Sequence, residues 1–257
     1  MSEPKHAIAT PSKRLFDAAL AKIGRALNLV EVHGEDGGSW RDLPSHAPFH
    51  QGSCGQVRLF LGDNICKVLT CSITAPVIGL DSHMLFAFTP AGGAIPHFTV
   101  DSVQSGEHMA FHLDLIPRLD LATHLAYMDW AFGNLTQTFE AARDIEGLSP
   151  AMITPRQRAV MSPWMIVNRA TAEAFNQVEP LVQFYLDHWL GLLAADAPKA
   201  ALQGASPTTL AQRDKANRAI IFDPDVDKVW NQITGLIGAP AVSAIRQELM
   251  DIGKVEG

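Results

Sequence analysis

The chain has 257 residues, 47% of them hydrophobic and 18% charged, with a formal net charge of −7 and a pI near 5.8. That much apolar surface supplies a sizeable core and excludes a disordered chain. Lys and Arg are scattered, so no basic face exists to neutralise phosphates, and nucleic acid is excluded as a partner. Cys54, Cys66 and Cys71 form no C-x-x-C pair, which argues against a disulfide framework or structural zinc and points to a reducing cytoplasm. Met1–Arg14 is polar and lacks the apolar run of a signal peptide. No segment reaches the roughly 20 apolar residues of a membrane span.

In chain order, Leu15, Ala18, Ala19, Ile23, Ala26 and Leu27 recur at helical spacing, which predicts a first helix over Pro11–Leu29 with Ser12 as its cap. Gly34–Ser39 reads as a loop. Val57–Leu61, Ile65–Ile73, Met84–Thr89, Phe98–Val103 and Met109–Ile116 read as strands. The gaps between most of them are too short for crossover helices, so the sheet is expected to be largely antiparallel. Helical spacing returns over Leu121–Phe139. Val160–Arg169 is rich in β-formers and supplies a late strand. Ala172–Ala195 predicts a long helix, Pro198–Pro207 a loop, and Leu210–Phe222, Val226–Ile237 and Pro240–Met250 three more helices. Helix, sheet, then helices implies an α+β layered fold, read as one domain spanning 1–257.

The most informative stretch is a hairpin. Two alternating segments flank Ser105-Gly106, which reads as a two-residue turn. That turn sets Asp101 opposite Ala110, Thr99 opposite His112 and His97 opposite Asp114. Alternation puts His97, Thr99, Asp101, His112 and Asp114 on one face, and Phe98, Val100, Phe111, Leu113 and Leu115 on a core face. The polar face is either the wet side of a sheet or a buried proton-transfer surface. Two imidazoles and two carboxylates converge there without Lys or Glu, and later helices are available to cover it. A third reading takes His112-Leu113-Asp114 with His97 as a two-histidine, one-carboxylate iron triad.

Pro96-His97-Phe98-Thr99-Val100-Asp101 and His112-Leu113-Asp114-Leu115-Ile116-Pro117-Arg118-Leu119-Asp120-Leu121 resemble the central region of red chlorophyll catabolite reductase. Met161-Ser162-Pro163 is similar to the segment that opens a later strand in that family. Gln212-Arg213-Asp214-Lys215-Ala216-Asn217-Arg218 is similar to a helical segment shared with the ferredoxin-dependent bilin reductases. The resemblance runs from about Leu85 to Met250. It implies a three-layer α/β/α sandwich with a largely antiparallel sheet, holding an open-chain tetrapyrrole between sheet and C-terminal helices. It also implies no flavin or metal, single electrons from ferredoxin, and a homodimer. Asp101 matches the family's strand acid, Asp214 its helix acid on the opposite wall of the cavity, and Asp114 a further shared acid. His83, Phe98, Thr99, Met165, Asn217 and Arg218 are expected around the substrate.

A one-electron reduction of a conjugated system needs a poised proton donor, the role expected of Asp101 and Asp214, with His97 or His112 relaying protons. Asp214 also stands four residues before Arg218, the spacing of an ordinary helix-surface pair. Leu85 occupies the place where some bilin reductases carry a catalytic histidine, with His83 two residues away. Basic residues number 20 against 27 acidic, whereas a partner of acidic ferredoxin carries a basic rim. Three functions follow: a ferredoxin-type tetrapyrrole reductase, a redox-free lyase or isomerase of a smaller, lignin-like phenol, and a binding or storage protein. A ring of Arg and Lys at the cavity mouth favours the first, and a neutral or acidic rim the second.

Overall fold

The computed structural model describes residues 9–253. Its strands are β1 (Val30–Val32), β2 (Arg41–Pro44), β3 (Ser53–Leu61), β4 (Lys67–Ala75), β5 (Leu80–Phe88), β6 (His97–Ser105), β7 (His108–Ile116), β8 (Leu148–Pro150) and β9 (Ile166–Ala170). They form one antiparallel sheet in the order β1-β3-β4-β5-β6-β7-β9-β8, with β2 also paired to β3. The helices are α1 (Pro11–Ala26), α2 (Leu125–Phe132), α3 (Thr136–Ala141), α4 (Pro155–Val160), α5 (Ala172–Phe175), α6 (Val178–Leu193), α7 (Pro207–Ile221), α8 (Val229–Ile237) and α9 (Ala239–Met250).

Helices cover both faces, which makes the expected three-layer sandwich. On one face Leu85, Phe98, Val100, Phe111 and Leu113 pack with Phe16 and Ile23 of α1, Tyr127 of α2 and Trp189 of α6. On the other, Val57, Leu69, Phe86 and Phe88 pack with Ile221 and Phe222 at the end of α7, Trp230 of α8 and Ile245 of α9. Among the described residues no helix is long and apolar enough to cross a membrane.

Local chemistry moved several boundaries. Thr10, not Ser12, caps α1, its hydroxyl accepting from the Lys13 N–H. Ser12 faces the sheet and bonds Ser102 at 2.7 Å. The helix expected over Leu121–Phe139 breaks into α2 and α3 at a 3₁₀ turn, Gly133–Leu135. The one expected over Ala172–Ala195 breaks at Asn176–Gln177 into α5 and α6. Residues 160–165 are not strand: α4, started by a Thr154–Gln157 capping box, runs through Val160, and β9 begins only at Ile166. The loop at 198–207 contains a 3₁₀ turn, Lys199–Leu202.

The hairpin register differs from expectation by two residues. Ser105 pairs with His108, so the turn is Gly106-Glu107. A two-residue hairpin turn with one left-handed residue takes it at the first central position, and Gly106 supplies a φ of 62°. Asp101 therefore faces His112, and Thr99 faces Asp114. A slip of two keeps every side chain on its own face, so the polar face survives intact.

Candidate functional site

On the α7–α9 face the register lays side chains in rows that cross the strands. One row runs Cys71, Met84, Asp101, His112 and Val167. Beside it on one side run Ile73, Ser82, Val103, Ala110 and Arg169, and on the other Leu69, Phe86, Thr99 and Asp114. A cavity of about 700 Å³ sits over the first row, within the size range of small-molecule sites. Phe222, Trp230 and Ile233 line it from the helical side, and Met161 and Met165 from the segment before β9. Half-exposed Phe49, Ile78 and Val229 line it as well and mark its mouth.

The floor carries one acid–imidazole pair. His112 Nδ1 lies 3.4 Å from Asp101 Oδ2, and the two side chains keep 16% and 34% exposure. His112 Nε2 and Asp101 Oδ1 have no hydrogen-bond partner among the described residues. Such atoms are rare in folded proteins and ask for an explanation. Burial disfavours a charged imidazole, but the bond to Asp101 and the charges of Asp101, Asp114 and Asp227 outweigh it and raise the His112 pKa. An imidazolium beside a carboxylate, sheltered under helices, is a proton donor whose charge the carboxylate supports.

Asp227, in the turn before α8, also lines this cavity. Burial raises its pKa, the Val229 N–H that it accepts opposes the rise, and the nearby Asp101 charge adds to it. Gln157 Nε2 donates to the same carboxylate at 3.2 Å. The resemblance assigns the acid on that side to Asp214, whereas the acid lining the cavity there is Asp227.

Asp214 itself lies elsewhere. It is 2% exposed and does not line the cavity. Arg218 grips it through two bonds, Nε to Oδ1 at 3.0 Å and an NH2 to Oδ2 at 2.9 Å. His97 Nε2 approaches the same carboxylate at 2.7 Å, and an Arg118 nitrogen at 3.6 Å. The Thr89 backbone N–H, a donor only, points at His97 Nδ1 from 3.0 Å. Nδ1 therefore accepts, and Nε2 carries the proton that it donates to Asp214. Burial and the two guanidinium groups push the His97 pKa down to about 3. Burial alone would raise the Asp214 pKa, but His97, Arg118 and Arg218 together hold it far below the usual carboxylate range. This network is a sealed ion cluster, with the Arg218 guanidinium stacked 3.9 Å from the Phe88 ring.

The remaining expected site residues divide accordingly. Met165 lines the cavity. Phe98 and His83 sit on the opposite face: Phe98 packs at a tilt against the Trp189 ring, and His83 is spent on Ser72, Asp81 and the Phe16 ring. Thr99 and Asp114 share the polar face but lie buried outside the cavity lining. Asn217 and Arg218, both on α7, are not part of the lining either. The iron-triad reading fails on geometry, because His97 is committed to Asp214 and Asp114 to Ser162. Among the described residues no three His, Cys, Asp or Glu side chains converge as a metal would need.

Asp227, Gln157 and Trp230 were not expected. The Asp223-Pro224-Asp225-Val226-Asp227 run was the available signal for the first, but nothing in it says which acid turns inward.

No protein-family model matches the chain, and no curated protein matches it in sequence. Among solved structures, phytochromobilin synthase from tomato in complex with biliverdin matches with a TM-score of 0.72 and 17% identity, over 95% of this chain and 85% of that one. At that identity the likeness is one of fold: the chain has the α/β/α architecture of a biliverdin-binding enzyme, as the sequence motifs implied.

Proposed function

We propose that the cavity holds an open-chain tetrapyrrole, or a conjugated molecule of similar length, and that the protein reduces it. The observation that carries this reading is the mainly apolar cavity of about 700 Å³ floored by the Asp101–His112 pair. Saturating one double bond takes two electrons and two protons. The electrons arrive singly from an external donor of the ferredoxin type. His112, in its imidazolium form, delivers one proton, and Asp101 supports its charge. Asp227 delivers the second from the helical side, where burial shifts its carboxyl toward the protonated form. Arg169 ends a floor row on the same strand face as Val167, is exposed, and has no ion pair among the described residues. A carboxylate tail leaving the cavity past Ala110, its cross-strand neighbour, would meet it. The test is to mix the protein with biliverdin and record its visible spectrum, then add reduced ferredoxin without oxygen. A saturable spectral change followed by loss of long-wavelength absorbance is expected. An unchanged spectrum at high protein concentration rejects the tetrapyrrole.

One observation favours the second reading. The cavity lining contains Asp101, His112 and Asp227 but no Lys or Arg. An uncharged phenolic substrate suits such walls, with the same groups performing redox-free acid–base chemistry as a lyase or isomerase. Turnover of a phenolic substrate without an electron donor, together with no binding of biliverdin, selects it.

A further inference from the structure

The cavity chemistry uses Asp101, His112 and Asp227, yet the most completely buried acid on the same sheet face is Asp114, at 0% exposure. It sits two residues from His112 on β7, so both side chains leave the same side of the strand. It is not part of the cavity lining and touches no solvent, so it has no route to a substrate. Its partners lie in one segment. Ser162 donates its hydroxyl to Asp114 Oδ1 and its backbone N–H to Oδ2 at 3.0 Å. The Ser162 hydroxyl oxygen in turn accepts from the Trp164 N–H at 3.1 Å. Met161 and Met165, on either side of that knot, are cavity wall. Residues 161–165 are neither helix nor strand, so side-chain bonds to Asp114 take the place of a ladder in fixing them.

We propose that Asp114 is a positioning residue for this site: its buried charge supports the imidazolium of His112 from the neighbouring row of the same sheet face, while its two oxygens fix the Met161–Met165 wall. Resting on the reading of Asp101–His112 as the proton-handling pair, the role needs no particular substrate. The charged groups facing His112 are Asp101 on β6, Asp114 on β7 and Asp227 before α8, and each favours the charged ring. Burial lifts the Asp114 carboxyl to about 6, against the opposing pull of His112 and the two Ser162 bonds. Its charge therefore changes close to neutrality, and His112 feels that change. Beside them Thr99 Oγ1, directly across from Asp114, is buried without a partner among the described residues. Polar atoms are thus concentrated around this pair rather than spread over the sheet.

The test is an imidazole NMR titration of the whole protein, with His112 assigned by its loss in His112→Gln. In the unmodified protein the His112 signals should show a second inflection near pH 6, where Asp114 titrates. In Asp114→Asn that inflection should vanish and the His112 midpoint should move downward, because a supporting negative charge is gone. In Ser162→Ala the carboxyl remains but loses a bond that lowers its pKa, so the second inflection should stay and move to higher pH while the Met161 and Met165 methyl signals shift. A single inflection in the unmodified protein, or an unmoved midpoint in folded Asp114→Asn, overturns the proposal. Should Asp114→Asn not fold, the inflection in the unmodified protein decides alone. Because no substrate enters the experiment, a failed biliverdin test leaves this result independent.

Discussion

Two acid–imidazole pairs stand on one face of the same sheet, and their surroundings give them opposite work. His112 and Asp101 meet at 3.4 Å, stay partly exposed and leave two polar atoms unpartnered beside a cavity. His97 and Asp214 meet at 2.7 Å, are almost fully buried and are closed off by Arg218 and Arg118. The first pair raises its histidine pKa and the second depresses it to about 3. The difference lies in the third partner. Around His112 the neighbouring charges are carboxylates, which favour an imidazolium that can give up a proton. Around His97 they are guanidiniums, which keep the ring neutral and make it a fixed donor to Asp214. The same residue types therefore make a proton donor in one place and a clamp between α7 and the sheet in the other.

The largest contrast comes from paired substitutions. Asp101→Asn is expected to lower turnover by about 10²- to 10⁴-fold, the range for a lost acid–base group, with a urea unfolding midpoint close to that of the parent. Asp214→Asn leaves two buried guanidiniums without their counter-charge and is expected to cost about 3–5 kcal/mol in the same unfolding experiment. The protein that remains folded should keep most of its turnover. If the two variants trade places, the division of labour is wrong.

Acid sharpens the comparison. The folded His97 pKa of about 3 lies below its ordinary 6.5, so the stability tied to the neutral ring is complete above 6.5 and is lost as the pH falls toward 3. Asp114 runs the other way. Its folded value of about 6 lies above 3.8, so its contribution is present below 3.8 and is lost as the pH rises through 6. Urea midpoints measured between pH 3 and 7 should fall on acidification. His97→Gln should flatten that fall, and Asp114→Asn should steepen it.

Smaller effects are expected at the edges of the site. Asp227→Asn should reduce turnover about tenfold, since His112 still supplies one proton, and should leave ligand affinity nearly unchanged in a spectral titration. Arg169→Gln should weaken binding of a carboxylate-bearing tetrapyrrole by a few-fold, with no effect on an uncharged analogue.

Much of this arrangement was legible in the sequence. Alternation alone placed His97, Thr99, Asp101, His112 and Asp114 on one face, because a strand has only two faces and a register slip of two does not exchange them. The sandwich followed from the order of elements. The i,i+4 spacing of Asp214 and Arg218 was equally visible, and the pair exists. What no local pattern shows is that His97, 117 positions earlier, and Arg118 close over it and remove it from the cavity. Asp227 escaped notice for the matching reason: in a turn holding three acids, only the packing of α8 decides which one points inward. Phe98 shows the opposite failing, since its own alternation already put it on the core face and the resemblance drew it into the site. Local periodicity assigns faces, whereas the partners of a charge come from distant chain.

The most direct measurement compares His112 and His97 in imidazole NMR spectra recorded with and without saturating biliverdin. Ligand in the cavity should shift the His112 signals and leave those of His97 in place. A perturbed His97 beside an unchanged His112, or two unmoved rings, would contradict the assignment of the working pair.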